Sequence, residues 1–257
     1  MQVYWEPKII TNSQMQTRYF DELLSGSIPA IVFPKVLNKK TCQDLTSKIL
    51  SNNEMSLGLG STQKIGESLN SYVSNKFEYF KKVKPSNILL RKIFSHDDPR
   101  KKMLAKISTS YGKNIQFAKE KSESYSNGMI RIHEPGISVH VHRDNASFEA
   151  SDFSISKLSK QLSATLHLQS AEFGGNLLVF DKFWKKADEK FRVPEFGYSS
   201  DVVQEVSYAS IHCEQGDLVI INPKKYHLVN TVRGKLERIT LGFFFGEETK
   251  SNLFAWS

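Results

Sequence analysis

Eight short β-rich runs follow one another along the chain after Tyr125. They are GMIRIH, ISVHVH, LSATLHLQ, NLLVFD, VSYASIHC, DLVIIN, YHLVNTV and RITLGFFFG. Gly, Pro, Asn and Asp stand at or near their ends, and these residue types favour turns. Many short strands separated by turn signals predict an antiparallel sandwich or a double-stranded β-helix, also called a jelly roll.

The start of the chain has a different character, because its apolar residues recur with helical spacing. Residues 14–24 (MQTRYFDELLS) predict a short amphipathic helix with Gly26 as its stop. The β-branched run at 27–37 predicts a strand. Asn38 is a good N-cap for a second helix that runs to about Leu50.

Between these elements and Tyr125, the pattern is first irregular and then helical. Residues 51–66 contain adjacent asparagines, glycines and several serines, which predicts a loop. The segment 68–118 is helical and basic, with breaks expected at Pro85 and at the turn-like sequence HDDP (96–99).

Helices first and strands second predict an α+β fold in which the N-terminal helices buttress one sheet of the jelly roll. We therefore expect a mainly helical region at 1–124, packed on a jelly-roll catalytic core at 125–257, as one compact unit overall. The long polar segment 185–201 is predicted to be a loop of the kind that forms lids or binding sites.

Composition and charge narrow the function classes. Of the 257 residues, 39% are hydrophobic, as in a soluble globular protein, and no run approaches the ~18 apolar residues of a membrane helix. The two cysteines show no metal-type spacing, which fits a reducing cytoplasm. The segment 76–121 holds 13 Lys and Arg and 4 Asp and Glu, a net charge of +9. A solvated helical face explains this charge better than nucleic acid does.

The sequence His142-Arg143-Asp144 suggests a metal site. In an extended strand, alternate side chains share a face, so His142 and Asp144 can converge on one point while Arg143 turns away. One further imidazole would complete the facial triad of two histidines and a carboxylate, which is typical of iron(II) oxygenases. The alternative register places His140 and His142 on the metal, and we prefer the pair with the carboxylate.

His227 is the expected third ligand, since it follows a buried strand and a turn in GDLVIINPKKYHLV. Arg238 and Thr240 lie at alternate positions of the next strand and would both point inward. A guanidinium binds a carboxylate through two hydrogen bonds, and a hydroxyl adds another donor. Such a pair suits the distal carboxylate of 2-oxoglutarate. The alternative is a surface ion pair of Arg238 with Glu237 or Asp217.

The ordered set H-x-D (142–144), GGNLLVFD (174–181), GDLVIINPKKYH (216–227) and G-x-x-x-R-x-T (234–240) resembles the Fe(II)/2-oxoglutarate-dependent dioxygenase superfamily. SGSIPAIVFPKVL, VHRDNA and NLFAWS are similar to a narrower branch, the small bacterial amino-acid hydroxylases and halogenases, which includes the free-lysine halogenases. The resemblance implies Fe(II), 2-oxoglutarate and O2 as cofactor and cosubstrates, and a free amino acid or a derivative as the small-molecule substrate.

Asp144 bears on the reaction within that branch. Halogenases of this type have a small residue in place of the carboxylate, so that chloride can bind the metal. Because this chain keeps the carboxylate, the resemblance implies hydroxylation of an unactivated carbon, with succinate as coproduct. Desaturation and ring closure remain open alternatives.

Other polar residues are candidates for the surroundings of the metal. For the cosubstrate they are Thr165 and His167. For the substrate they are Arg131, His133, Tyr125, Asn145, His140 and Trp256, and Arg131 could bind a carboxylate of either the substrate or the cosubstrate. His140 would share the inward face of the metal strand, and Trp256 would close over the substrate as a flap. For each substrate candidate, an ordinary structural role is the competing interpretation.

Two alternatives of other classes remain. An oxygenase acting on a protein or nucleic acid would use the basic segment, but nucleic-acid demethylases of this superfamily carry a second arginine downstream of the cosubstrate arginine. No arginine follows Arg238. A non-catalytic jelly-roll binding module is the other alternative, and the intact ligand set disfavours it. The sequence leaves the oligomeric state open.

Overall fold

The computed structural model of the chain describes residues 5–11, 14–57, 62–194 and 196–257. Its α-helices within these ranges are α1 (Thr17–Ser25), α2 (Lys39–Leu50), α3 (Lys76–Phe94), α4 (Pro99–Tyr111) and α5 (Ala146–Glu149). Short 3-10 helices occupy Leu69–Tyr72, Ser154–Lys157, Lys186–Phe191 and Ser200–Val203.

The strands of the same ranges divide into two main sheets and two small ribbons. They are β1 (Lys8–Ile9), β2 (Ala30–Phe33), β3 (Ser56–Leu57), β4 (Gln63–Ile65), β5 (Asn114–Phe117), β6 (Lys119–Glu120), β7 (Glu123–Ser124), β8 (Met129–His133), β9 (Val139–His142), β10 (Ser159–Gln169), β11 (Phe173–Gly174), β12 (Leu177–Phe183), β13 (Tyr208–Ile211), β14 (Leu218–Ile221), β15 (Lys225–Val229), β16 (Val232–Arg233), β17 (Arg238–Thr249) and β18 (Asn252–Trp256).

The larger sheet has the order β1-β2-β14-β10-β17-β8-β4-β3, and β18 joins β17 to β5. The smaller sheet has the order β13-β12-β15-β9. Pairing within the two sheets is antiparallel, except for the parallel pairs β1–β2 and β18–β5. The predicted α+β order, with most helices before most strands, is therefore present, and the fold is a jelly roll with helices added.

Strand β17 shows how the sequence builds two layers around the larger sheet. One set of alternate side chains joins a hydrophobic cluster that also contains apolar residues of α1 to α4; its β17 members are Ile239, Leu241, Phe243 and Phe245. The other set faces a cavity, and its members there are Arg238, Thr240 and Phe244. Because the side-chain period of a strand is two, one run of sequence serves both layers.

An apolar cluster joins the facing surfaces of the two sheets. Its members are Ala30, Val32, Val219 and Ile221 of the larger sheet and Leu177, Val179, Ala209, Ile211 and Val229 of the smaller one, together with Cys213. Leu177, Ile221 and Val229 also line the cavity. The cavity is thus an extension of the space between the sheets, with an apolar wall on one side.

The first two predicted helices are confirmed. α1 ends at Gly26, whose φ of 85° is the left-handed conformation that glycine adopts without steric cost. α2 begins after Asn38, whose side chain accepts a hydrogen bond from the Thr41 amide at 2.8 Å.

The break predicted at Pro85 is wrong, because α3 continues through this residue to Phe94. Pro85 lies on the exposed face of the helix. The carbonyl four residues earlier, which loses its hydrogen-bond donor, can therefore be hydrated. The turn predicted at 96–99 is confirmed, and Asp98 caps α4 through the Arg100 amide.

The boundaries of the N-terminal region need two further corrections. The predicted loop 51–66 contains β3 and β4, and β4 pairs with β8. The predicted helical segment 68–118 ends in strand β5, which pairs with β18. Each of the eight predicted β runs contains a strand. The division of the chain at residue 124 stays a prediction. Among the described residues, no helix has both the length and the apolar character needed to cross a membrane.

Candidate active site

Two histidines and an aspartate from separate strands meet at one end of the cavity. His142 on β9 is directly paired with His227 on β15, and their ring centroids are 4.1 Å apart. Asp144 follows β9, and its Oδ2 lies 3.6 Å from Nε2 of His227. The candidate ligand atoms of the three residues all lie within 4.8 Å of one another. One cation can therefore contact all three.

Hydrogen bonds hold these side chains in the orientation that a metal requires. Nδ1 of His142 donates to the His140 carbonyl at 2.8 Å, and Nδ1 of His227 donates to the Lys225 carbonyl at 3.0 Å. Both Nε2 atoms are thereby free to act as ligands. The Asn70 amide donates to Oδ1 of Asp144 at 2.7 Å, which leaves Oδ2 for a metal.

The histidines are held in their neutral form. Burial, together with the nearby His227, lowers the pKa of His142 to about 3. Burial also lowers the pKa of His227, although the charge of Asp144 opposes this shift. Neutral imidazoles bind metals, whereas protonated ones do not. The donor set consequently fits an iron(II) ion at neutral pH.

The same cavity also contains a buried cation that has no counterion among the described residues. Arg238 is only 4% exposed, and its side chain makes no hydrogen bond or ion pair within the described part of the chain. Burial lowers its pKa to about 10. A buried, unpaired guanidinium is costly unless an anion joins it.

The alternative surface pairing of Arg238 is excluded. Glu237 accepts hydrogen bonds from the Gln169 side chain, and Asp217 accepts them from the backbone amides of Lys35 and Glu214. Thr165 and Thr240 line the cavity beside Arg238. The guanidinium and the two hydroxyls offer the donors that one end of a dicarboxylate needs.

Comparison with known proteins identifies the family. Residues 10–257 match the family model described as "Carrier-protein-independent halogenase WelO5". The chain belongs to this family. It is accordingly a non-haem iron oxygenase that depends on 2-oxoglutarate and O2, which confirms the class expected from the motifs.

The individual proteins that the chain resembles have low sequence identity to it. The chain is 26% identical over 183 residues to leucinostatins biosynthesis cluster protein S of Purpureocillium lilacinum, which covers 67% of the chain and 74% of that protein. Its fold is similar to that of an N-substituted L-amino acid dioxygenase from Burkholderia ambifaria AMMD, with a TM-score of 0.59, 15% identity, and coverage of 95% and 92% of the two chains. HygX of Streptomyces hygroscopicus, solved with nickel and 2-oxoglutarate, gives a TM-score of 0.55, 14% identity, and coverage of 92% and 87%.

In this halogenase-family enzyme, a second part of the cavity adjoins His142 and Asp144, and Arg238 is not among the residues that line it. Arg131, His133, His142 and Asp144 line both parts. Burial and the charges of the two nearby arginines lower the pKa of His133 to about 3, so His133 is neutral. The second part has the additional lining residues Thr62, Lys64, Ser68, Asn70, Ser71, Met129 and Phe196.

His167 pairs with Thr240 across β10 and β17 and lies close to Arg238. Burial holds the pKa of His167 well below the ordinary value, and the charge of the arginine lowers it further because it disfavours protonation of the imidazole. The Nε2 of His167 has no hydrogen-bond partner among the described residues. It does not line either part of the cavity. Its predicted contact with the cosubstrate stays a prediction.

The prediction that His140 shares the inward face with His142 is wrong. A β-bulge shifts the register, because His227 pairs with His142 whereas Val229 pairs with Val139. Val139 and His142 therefore face the cavity together, and the extra residue in β9 turns His140 to the exposed surface. Simple alternation cannot reveal such a bulge.

Tyr125 does not reach the cavity, contrary to the prediction. It is fully buried in an aromatic cluster with Tyr79, Phe80 and Phe153, and its hydroxyl donates to Glu120 at 2.5 Å. The ring packs against the other aromatic rings there, and the hydroxyl has a hydrogen-bond partner.

Trp256 and Asn145 also have structural positions. Trp256 is 1% exposed and pairs with Phe244 as part of β18, so the predicted flap is wrong. Asn145 precedes α5, and its Oδ1 accepts a hydrogen bond from the Ser147 hydroxyl at 2.7 Å. It does not line either part of the cavity.

Three residues at the site were missed by sequence reasoning. Asn70 orients Asp144, Lys64 lines the second part of the cavity, and the Phe196 ring lies 5.0 Å from the His142 ring. Phe196 falls in the segment 185–201, for which a binding role was predicted. Lys64 lies in the predicted loop 51–66 and Asn70 near the start of the predicted helical segment 68–118, and neither segment gave a comparable signal.

Proposed function

We propose that the chain hydroxylates an unactivated carbon of a free amino acid or a small molecule derived from one, and converts 2-oxoglutarate to succinate. His142, Asp144 and His227 would hold the iron, and Arg238 would bind the distal carboxylate of 2-oxoglutarate. The observation that carries this proposal is the convergence of the three ligand atoms within 4.8 Å at a cavity that also contains the unpaired Arg238.

The bound iron and 2-oxoglutarate would supply the oxidising power needed to break an aliphatic C–H bond. The residues of the chain supply position and environment. Arg238, Thr165 and Thr240 would fix the cosubstrate by one end, so that its other end reaches the metal ligands. Leu177, Ile221, Val229 and Phe244 form apolar walls that limit the water at the site.

Hydroxylation is favoured over halogenation by Asp144. A carboxylate bound to the metal would occupy the position that chloride needs, and the Asn70 hydrogen bond orients the Asp144 carboxylate. Halogenation is the second candidate, because the family model is described as a halogenase. Mass spectrometry of the product decides between them: one added oxygen supports hydroxylation, and a chlorine isotope pattern supports halogenation. Loss of two hydrogens would indicate desaturation or ring closure.

An amino-acid substrate is supported by the second part of the cavity, which is small and lined by polar side chains and by the unpaired Arg131. The similarly folded protein from Burkholderia ambifaria is named for N-substituted L-amino acids.

The proposal is tested by measuring succinate release with Fe(II) and 2-oxoglutarate against the twenty amino acids and their N-acetyl derivatives, with lysine, arginine and ornithine first. We expect one class to stimulate release. His142→Ala and Asp144→Ala should each reduce turnover by more than ~100-fold, since loss of a supporting residue alone costs about 10- to 100-fold. His212→Ala, which changes an exposed histidine outside the cavity lining, is the matched control. Full activity in either ligand variant would overturn the assignment.

A further inference from the structure

Two cations face each other beside the candidate metal centre. Lys64 on β4 and Arg131 on β8 are directly paired neighbours in the larger sheet, and both line the second part of the cavity. Like charges directly opposite one another destabilise a pair of strands. The repulsion between Lys64 and Arg131 is offset only if negative charge lies near both side chains.

Of these two cations, only Lys64 has an ion-pair partner among the described residues. Its Nζ lies 3.2 Å from Oε2 of Glu67, which also accepts a hydrogen bond from the Tyr72 hydroxyl at 2.8 Å. Arg131 makes no hydrogen bond or ion pair with any residue that the structure describes. Asp144 interacts with it electrostatically but is engaged elsewhere, by Asn70 and toward His227.

The Arg131 guanidinium lies close to the backbone of β17 at Gly242. A Cβ atom on Gly242 would lie 3.3 Å from Nη1 of Arg131 and 3.2 Å from the Ala164 carbonyl. The glycine therefore leaves room for the guanidinium against β17. The hydroxyls of Thr62, Ser68 and Ser71 add further polar groups to the same part of the cavity.

We infer that Arg131, assisted by Lys64, binds a carboxylate of the molecule that is oxidised, so that the substrate is a carboxylic acid. This inference rests on the proposed function. The anion belongs to the substrate and not to 2-oxoglutarate, because Lys64 lines the part of the cavity that Arg238, Thr165 and Thr240 do not line. An anion between Lys64 and Arg131 would lie in that part.

The test compares free acids with their carboxamides, which have almost the same shape but no charge. Calorimetry would measure the binding of the twenty amino acids and their N-acetyl derivatives, each as acid and as amide, to protein loaded with Ni(II) and 2-oxoglutarate. We expect the best acid to bind at least about tenfold more tightly than its amide, as for a hydrogen bond to a charged group. If no acid binds more tightly than its amide, the inference is overturned.

Substitutions test which residues produce the preference for the acid over the amide. Arg131→Met should abolish the preference for the acid, Arg131→Lys should retain part of it, and Lys64→Met should reduce it. Lys113→Met is the matched control, since Lys113 is a similarly buried lysine paired with Glu247 at 2.7 Å and lies outside the cavity lining. It should leave the preference unchanged. A preference that survives Arg131→Met would overturn the inference.

The same variants separate this inference from the proposed function and from a role in cosubstrate binding. If Arg131→Met weakens the binding of 2-oxoglutarate itself and leaves the preference for acids intact, Arg131 serves the cosubstrate and the inference is wrong. If wild-type protein prefers acids but Fe(II) and 2-oxoglutarate yield no succinate, the proposed function fails while the carboxylate site stands.

Discussion

Two buried arginines in this chain have opposite surroundings. Arg100 is 3% exposed and donates to both carboxylate oxygens of Asp98, with an Nε–Oδ1 distance of 2.8 Å. Arg238 is equally buried and has no such partner among the described residues. The first stabilises the fold, whereas the second is costly until a ligand arrives. The sequence places Arg238 on the inward face of its strand, but whether a carboxylate lies beside it depends on distant segments that local sequence does not position.

Substitution separates the two roles. Arg238→Met should weaken 2-oxoglutarate binding by about 10- to 100-fold, while the free energy of unfolding of the iron-free protein stays within about 1 kcal/mol of wild type, because a buried unpaired charge is replaced by an apolar side chain. Arg100→Met should lower that free energy by about 1–3 kcal/mol without affecting 2-oxoglutarate. Urea unfolding and anaerobic titration measure both. A larger destabilisation from Arg238→Met than from Arg100→Met would contradict this assignment.

At the scale of elements, the alternation of side chains along a strand predicted which residues face inward. This prediction failed where the pairing of a strand is irregular. The pairing of β10 with β17 is regular between Leu162 and His167, and that of β17 with β8 is regular from Arg238 to Gly242, so the inward residues Thr165, Arg238 and Thr240 could be identified from sequence. β9 contains a bulge, so His140 could not be assigned correctly. β4 is three residues long, too short for its pattern to be recognised, and Lys64 was missed with it.

The ribbon of β6 and β7 is held to the rest of the fold by Glu120. Its carboxylate accepts hydrogen bonds from Lys76, from the Tyr125 hydroxyl and from the Ser154 amide, the last at 2.9 Å. Burial raises the pKa of Glu120, but these three contacts outweigh burial and lower it to about 2. α3, the ribbon and the 3-10 helix at Ser154–Lys157 therefore meet at one ionised group.

This lowered pKa predicts a pH dependence of stability. A folded-state pKa below the unfolded value of 4.5 stabilises the protein above pH 4.5, and the stabilisation is lost as the pH falls toward about 2. Glu120→Gln should therefore be less stable than wild type by about 1–2 kcal/mol at neutral pH, and the difference should shrink through this window in urea unfolding. Glu123→Gln, on the exposed neighbouring strand, is the control. A difference that does not change with pH would contradict the role of Glu120.

For the molecule as a whole, the type of fold could be predicted from the sequence, but the strand pairing that completes the larger sheet could not. The eight β runs and the helical N-terminal segments gave the α+β jelly roll. The sequence did not reveal that NLFAWS forms β18, which pairs with both β17 and β5 and so joins sequence-distant parts of the larger sheet. Pairing between distant segments leaves no local signal, because hydrophobic periodicity reports which face is buried and not which strand is adjacent.

The burial of Trp256 predicts that this last strand stabilises the fold. Trp256 is buried in a cluster that contains Tyr79, Phe153 and Phe244, and Phe244 also lines the cavity. Trp256→Ala should lower the free energy of unfolding by about 3–5 kcal/mol, as expected for a large buried aromatic residue, and Trp256→Phe should lower it by much less. Urea unfolding measures both effects, while calorimetry follows 2-oxoglutarate binding, which should change little in Trp256→Phe. Unchanged stability in Trp256→Ala together with weakened substrate binding would restore the flap, because only a mobile side chain could be lost without disturbing the packing of the larger sheet.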